Sequence, residues 1–444
     1  MNVFKNLSIC LGLLLLTMLN AHAFEVSPVS AETGTEDNWS IHGQLTFVEQ
    51  WHPSFNAPYT GANSLSPKSN SGETFDATLF LGRKLWNGAE LYINPEIDQG
   101  FGLSDTLGLA GFSSGEAYKV GAADPYYRMP RAFIRQTFNL GGENIVLENA
   151  ANQVGKAITS NNVIVTLGKF GVVDIFDTNT YAHDARGDFL NWSSLDAGAF
   201  DYAADAWGFT YGSAVEWSQD WWTLRSGLFA LSTVPNNTNI DLSFQQYEWV
   251  GEFEERHDFL GHPGKLKVLG FVNRGYMGSY SDAINAANGS TPDTALVRKL
   301  AYRPGIAMNF EQEIKPGFGI FARASINDGT QEAFEFSEIN QSVSAGFSLQ
   351  GDLWQRNQDT LGFVQIVNGL SADARAYFAL GGIGILIGDG ALNYAPERIS
   401  EAYYNYALMP HIKLGINYQY VVNPAYNQDR GPVNIFAFRI HGEF

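Results

Sequence analysis

Apolar and polar residues alternate one by one along much of this chain. In "WSIHGQLTFVEQ", Trp39, Ile41, Leu45 and Phe47 fall on one face and Ser40, His42, Gln44 and Thr46 on the other. "HIKLGINYQY" sets Ile412, Leu414, Ile416, Tyr418 and Tyr420 against Lys413, Gly415, Asn417 and Gln419. In the closing stretch, Phe436, Phe438, Ile440 and Phe444 oppose Ile435, Ala437, Arg439, His441 and Glu443, with Ile435 the one misfit. A period of two is that of a β-strand lying between an oily phase and a wet one. The same pattern predicts strands near 74–82, 89–96, 131–139, 162–169, 206–217, 221–231, 247–254, 264–273, 304–313, 317–327, 342–350, 360–369 and 398–408, with a poorly defined one at 382–388. The total is about sixteen to eighteen, within the range of bacterial barrels, whose strand numbers are even.

The connections fall into two classes. "LWNGAE", "SQDW", "GHPGK" and "IKPGFG" carry the turn formers of tight hairpins, whereas 49–73, 97–129, 171–205 and 274–301 are long. Short turns at one rim and long loops at the other are the asymmetry of a transmembrane antiparallel β-barrel of the outer membrane. A soluble β-sandwich also alternates. Against it stand apolar faces rich in Trp, Tyr and Phe, opposite faces carrying Glu, Lys and Arg, and an alternating strand that ends on Phe444. Lipid cannot satisfy an open sheet edge, so the last strand is expected to pair with the first. The terminal aromatic resembles the signal read by the outer-membrane barrel assembly machinery.

The first residues place the chain in its compartment. Lys5, an apolar run from Leu7 to Leu19 and Ala21-His22-Ala23 form a secretory signal over residues 1–23, with 24–38 a short periplasmic lead-in and 39–444 the barrel. Cys10, the only cysteine, lies within that signal, and the bulky Ile9 before it disfavours a lipoprotein box. A chain beginning at Phe24 therefore has no disulfide, thiolate metal site or cysteine nucleophile. With 27 Lys+Arg against 46 Asp+Glu, a net charge of -19 over the full sequence, the chain would be repelled by a phosphate backbone, and nucleic acid is a poor partner. The 14% aromatic share suits lipid and a partner barrel equally, so a homo-oligomer stays open.

Enzymatic motifs are weak. His183-Asp184 lies near Ser193 and Ser194 without a framing nucleophile motif, which leaves an outer-membrane hydrolase only as a distant alternative. Glu252 and Glu254 share a strand face, and that spacing establishes no catalytic separation. His257 and His262 lack a third ligand, and "GGIGILIGDG" misses the dinucleotide fingerprint. No catalytic residue, metal or cofactor is expected.

Four long stretches then carry a resemblance: "LFLGRKLWNGAELYINPEIDQGFGLSDTLGLAGFSSGEAYKVG", "PRAFIRQTFNLGG", "VTLGKFGVVDIFDTNTYAHDARGDFLNWS" and "NPAYNQDRGPVNIFAFRIHGEF". From about Trp39 to Phe444 the chain resembles the carbohydrate-selective porins of the OprB type. The resemblance implies a 16-stranded outer-membrane barrel of a Gram-negative cell, through which monosaccharides or small oligosaccharides diffuse passively. A porin for other small solutes is the nearest alternative.

A sugar carries hydroxyls that donate and accept over a ring with apolar C–H faces, so a selective pore wants charged, amide and aromatic groups held in weak, sequential contact. Segment 171–192 supplies that mix in Asp174, Asp177, Asn179, Tyr181, His183, Asp184, Arg186, Asp188, Asn191 and Trp192, and is expected to fold into or beside the lumen and narrow it, with a solvated extracellular loop as the alternative. On the strands, Glu96, Arg131, Arg135, Arg225 and Arg323 are expected to face inward as pore-lining groups, where each also fits a structural charge ladder.

Overall fold

A computed structural model describes residues 37–336 and 338–444. The signal at 1–23 and most of the lead-in lie outside the described residues. Sixteen antiparallel strands follow one another around a closed barrel: β1 (Trp39–His52), β2 (Asn70–Trp86), β3 (Ala89–Gly100), β4 (Ala122–Leu147), β5 (Lys156–Phe170), β6 (Thr210–Gln219), β7 (Trp222–Ala230), β8 (Tyr247–Phe259), β9 (His262–Met277), β10 (Lys299–Lys315), β11 (Phe318–Asn327), β12 (Gln341–Gly351), β13 (Arg356–Gly369), β14 (Glu397–Met409), β15 (Ile412–Val422) and β16 (Val433–Glu443).

Closure needs β16 to meet β1, and it does so in an unbroken register from Gln44 opposite Glu443 to Trp51 opposite Phe436. Gly43 and Phe444 extend the seam by exchanging both backbone hydrogen bonds, at 3.0 and 2.9 Å. The Phe444 ring lies over Gly43, where a Cβ would stand 2.3 Å from it. The seam thus leaves no strand edge for lipid to solvate, which would cost several kcal/mol per unpaired group.

Two-residue turns join β2 to β3, β6 to β7, β8 to β9, β10 to β11 and β14 to β15. At two of them Gly88 (φ 77°) and Gly261 (φ 82°) take the left-handed conformation that tight hairpins demand. The opposite rim carries the long loops. Segment 382–388 is not a strand but part of the β13–β14 loop, where the Glu338 carboxylate accepts from the backbone N–H of Leu386 at 3.1 Å. β6 begins at Thr210 rather than 206, and the loop expected over 97–129 shrinks to 101–121 because β3 reaches Gly100 and β4 starts at Ala122.

Facing is set by the pleat. Trp39, Ile41, Val343 and Ile416 point outward and stay 54%, 59%, 59% and 62% exposed, while their inward neighbours Ser40 and Ser342 are buried. Tryptophans 39, 86 and 221 sit at the short-turn rim, as interfacial anchors do. Inside, the long loops fold back and bring their own apolar side chains. Phe189, Leu190, Ala182 and Ala185 pack with the inward Val364, Ile366, Ile399, Val421, Val433 and Ile435. That cluster accounts for the misfit Ile435: it faces a filled lumen, not water.

A charged constriction as candidate functional site

The loop from 171 to 209 makes a circuit of the inner wall, held by hydrogen bonds at each stage. It starts at β4, where Arg131 Nε and Nη2 donate to the two Asp174 oxygens at 2.7 and 2.6 Å. The Asp177 backbone N–H then donates to Glu252 of β8 at 2.7 Å, and the Asp177 carboxylate accepts from Asn309 of β10 at 2.6 Å and from Arg323 of β11 at 3.2 Å. Crossing the lumen, Arg186 meets Asp76 of β2 at 3.3 Å and Glu116 of the β3–β4 loop at 3.2 Å. The backbone N–H groups of Leu190 and Asn191 donate to Glu401 of β14 at 2.6 and 3.0 Å. Further on, Asp201 pairs with Arg303 of β10 at 2.5 Å and accepts backbone N–H groups of Phe334, Glu335 and Phe336. Wall residues that read as a pore lining thus largely clamp a loop.

Two groups separate among the expected site residues. Arg131, Asp174, Asp184 and Arg186 keep 21%, 27%, 57% and 23% of their side chains open, and His183 keeps 26%. Tyr181, half-buried, lies over Gly319 of β11. Asp177 and Arg323, by contrast, are buried against each other. Trp192 is buried between Phe112 and Phe336, with centroids 4.9 Å away on either side. Glu96 is buried between Thr78 at 2.6 Å and Arg128 at 2.7 Å. Arg225 spans Glu216, Glu252 and Glu254 at 2.9, 2.7 and 3.0 Å, a ladder across β6, β7 and β8. Arg135 donates to the Asn152 carbonyl at 2.9 Å and lies over Tyr92. The Asp188 carboxylate accepts the backbone N–H of His183 at 3.1 Å and so shapes the loop tip.

Sequence reasoning missed Asp76, Arg128 and Glu116. Asp76 was visible as an inward position of an alternating segment. Arg128 was not, because register shifts in the β3–β4 pairing, between Asn94 and Glu96 and again between Asp98 and Gly100, break the period of two on either side of it.

The loop charges are tuned by one another. Burial pushes the Asp174 and Asp184 carboxyls up, but Arg131 and Arg186 respectively outweigh it and hold both below the usual range. Burial raises Glu116 well above its ordinary value despite Arg186. Burial works against the charged form of His183, and Asp196, 3.5 Å away, outweighs it, so the imidazolium persists above its ordinary pKa. Charge on His183 is therefore complete below about 6.5 and is lost as pH rises through the raised value. Cation preference should accordingly increase with pH in reversal-potential measurements, and His183→Gln should flatten that dependence.

No hydrolase assembly forms here. Ser193 is buried, its hydroxyl accepting from Asn368 at 3.0 Å, while His183 turns to Asp196. At the short-turn rim His257 binds Glu255 at 2.8 Å and His262 binds Glu313 at 3.0 Å, as separate pairs.

A closed barrel with a charged inner loop is the architecture of outer-membrane channels, and comparisons agree. The family described as "Carbohydrate-selective porin, OprB family" matches residues 62–444. The chain is similar in structure to Pseudomonas putida OprB at high pH, with TM-score 0.69 and 13% identity over 92% of this chain and 94% of that one. It is also similar to the outer-membrane channel DcaP of Acinetobacter baumannii, with TM-score 0.52 and 10% identity over 94% of this chain and all of the other. No curated protein matches the sequence. The protein is a passive carbohydrate porin, and it belongs to the OprB family of carbohydrate-selective porins.

Proposed function

We propose that sugars cross this passive porin through the gap left beside the inner loop, in contact with Arg131, Asp174, Tyr181, His183, Asp184 and Arg186. The observation that carries the reading is the partial exposure of these opposite charges, on the inner loop and on β4 beside it, next to a loop stretch, residues 189 to 206, that is buried throughout. Guanidinium groups donate to ring hydroxyls and carboxylates accept from them, within reach of an aromatic face. Because each charge is already paired with a protein group, a hydroxyl competes for its bonds instead of gaining a vacant one. Contact stays weak, as transport requires. Asp177, Arg323 and Trp192 hold the loop in place, with Glu96 and Arg225 bracing the wall behind it.

Single-channel conductance of the mature protein in a planar bilayer, with glucose and maltooligosaccharides titrated in, tests the reading. Stepwise channels that close saturably with sugar are expected. Channels indifferent to sugar would make it a general small-solute porin. In the same recording, Asp174→Asn should weaken sugar block by about tenfold or less, since one charge-assisted hydrogen bond of the six-residue set is changed. The channel should stay open throughout.

A further inference from the structure

The outer wall is apolar over most of its area, and one stretch of it is hollow. Ile306 and Met308 of β10, Ala324 of β11, Val343 of β12 and Val367 of β13 point away from the lumen and border a groove of about 530 Å³. The groove exists because Ala324 and Gly369 hold little or no side chain where their neighbours carry Ile and Val. At its long-loop end stand Arg375, on the short helix Ala372–Ala379, and Tyr394. The Arg375 guanidinium lies 3.8 Å from the Tyr394 ring centroid, and its Nε donates to the Leu370 carbonyl at 3.0 Å. Arg398, exposed and outward, is directly opposite Val367 in the β13–β14 register.

These two cations differ from most of those of the lumen. Arg128, Arg131, Arg186, Arg225, Arg303 and Arg323 each face a carboxylate. Among the described residues, no carboxylate forms an ion pair with Arg375 or Arg398. In a chain with net charge -19, two cations without acidic partners at the lip of an apolar groove call for an anion that also carries hydrocarbon.

We propose that this groove is a binding site for one anionic membrane lipid. Its acyl chain lies in the hollow bordered by Ile306, Ala324, Val343 and Val367, and its phosphate is held by Arg375 and Arg398. Arginine suits the task because its planar fork takes two phosphate oxygens at once. A second barrel fits the groove less well, since a convex sheet wall cannot fill a hollow in another convex wall.

The test is native mass spectrometry of the full mature protein released from micelles holding equal amounts of phosphatidylglycerol and phosphatidylcholine. Wild type should retain phosphatidylglycerol about tenfold or more over phosphatidylcholine. Arg375→Gln with Arg398→Gln should abolish that preference while the barrel keeps its heat-modifiable gel mobility. Ala324→Leu, which fills the groove, should lower retention of both lipids. Equal retention of the two lipids by wild type, unchanged in the double variant, would overturn the proposal. So would a lipid-free multimer whose copies cross-link through Val343→Cys.

Discussion

Exchange of Arg323 for methionine is expected to raise open-channel conductance severalfold and to remove steady sugar block. Arg323 sits on β11 with its guanidinium buried, and it donates to the carbonyls of Ser194 at 2.8 Å, Asp177 at 3.1 Å and Ala182 at 2.8 Å, besides its pairing with the Asp177 carboxylate. Methionine fills much of the volume but leaves Asp177 without its cation and the carbonyls of Ser194 and Ala182 without the Arg323 donor, while the Asp177 carbonyl keeps Asn309 at 3.0 Å. Breaking a buried pair from one side costs about 3–5 kcal/mol, more than a loop segment without a strand ladder can absorb. The barrel itself should survive, because its strands are joined by ladders that do not involve this side chain. The loop should leave the lumen, and channels should become large and noisy. Unchanged conductance and sugar block in a folded variant would show that the loop holds its position without this clamp. Asp201→Ala tests the same logic farther along, where it would strip Arg303 of its carboxylate and three backbone N–H groups of their acceptor.

Exchange of Arg186 for glutamine is expected to leave the loop in place and change what it passes. Arg186 is the one cation among Asp76, Glu116 and Asp184, at 3.3, 3.2 and 3.9 Å. Without it, the buried Glu116, already raised well above the ordinary carboxylate range by burial, holds its proton to still higher pH. Asp184, exposed, loses the cation that keeps its pKa low. The gap becomes net negative, so reversal potentials should move toward cation preference, increasingly as pH rises and the carboxyls ionise. Loss of a planar donor facing the solute should weaken sugar block about tenfold, about 1.4 kcal/mol. Lysine at this position should restore charge selectivity better than sugar block, because it keeps the charge and loses the fork. A glutamine variant with wild-type selectivity and block would remove Arg186 from the proposed path.

Outward faces were the most legible part of the chain. Trp39, Ile416 and Phe436 needed only an apolar residue at every second position to meet lipid, which is a local property of one strand. The tight turns were legible for a similar reason, since Asn87-Gly88 satisfies its own backbone demand. Segment 382–388 misled because an apolar, glycine-rich run carries no phase, and its partners are loop groups such as Glu338. The stretch before Arg131 misled because a bulge resets the alternation.

Inward residues were a different matter. Arg323 and Asp177 are 146 positions apart, and Arg186 and Asp76 are 110 apart. A charge facing inward reads the same whether it meets water, solute or a folded loop. The sequence by itself therefore determined a closed antiparallel barrel, its lipid face and its alternation of turns and loops. Only the tertiary structure decided which charges clamp the inner loop and which remain open beside it. Alternation records the phase on each side of a single strand, whereas the path of the inner loop depends on hydrogen bonds and packing between residues tens to hundreds of positions apart.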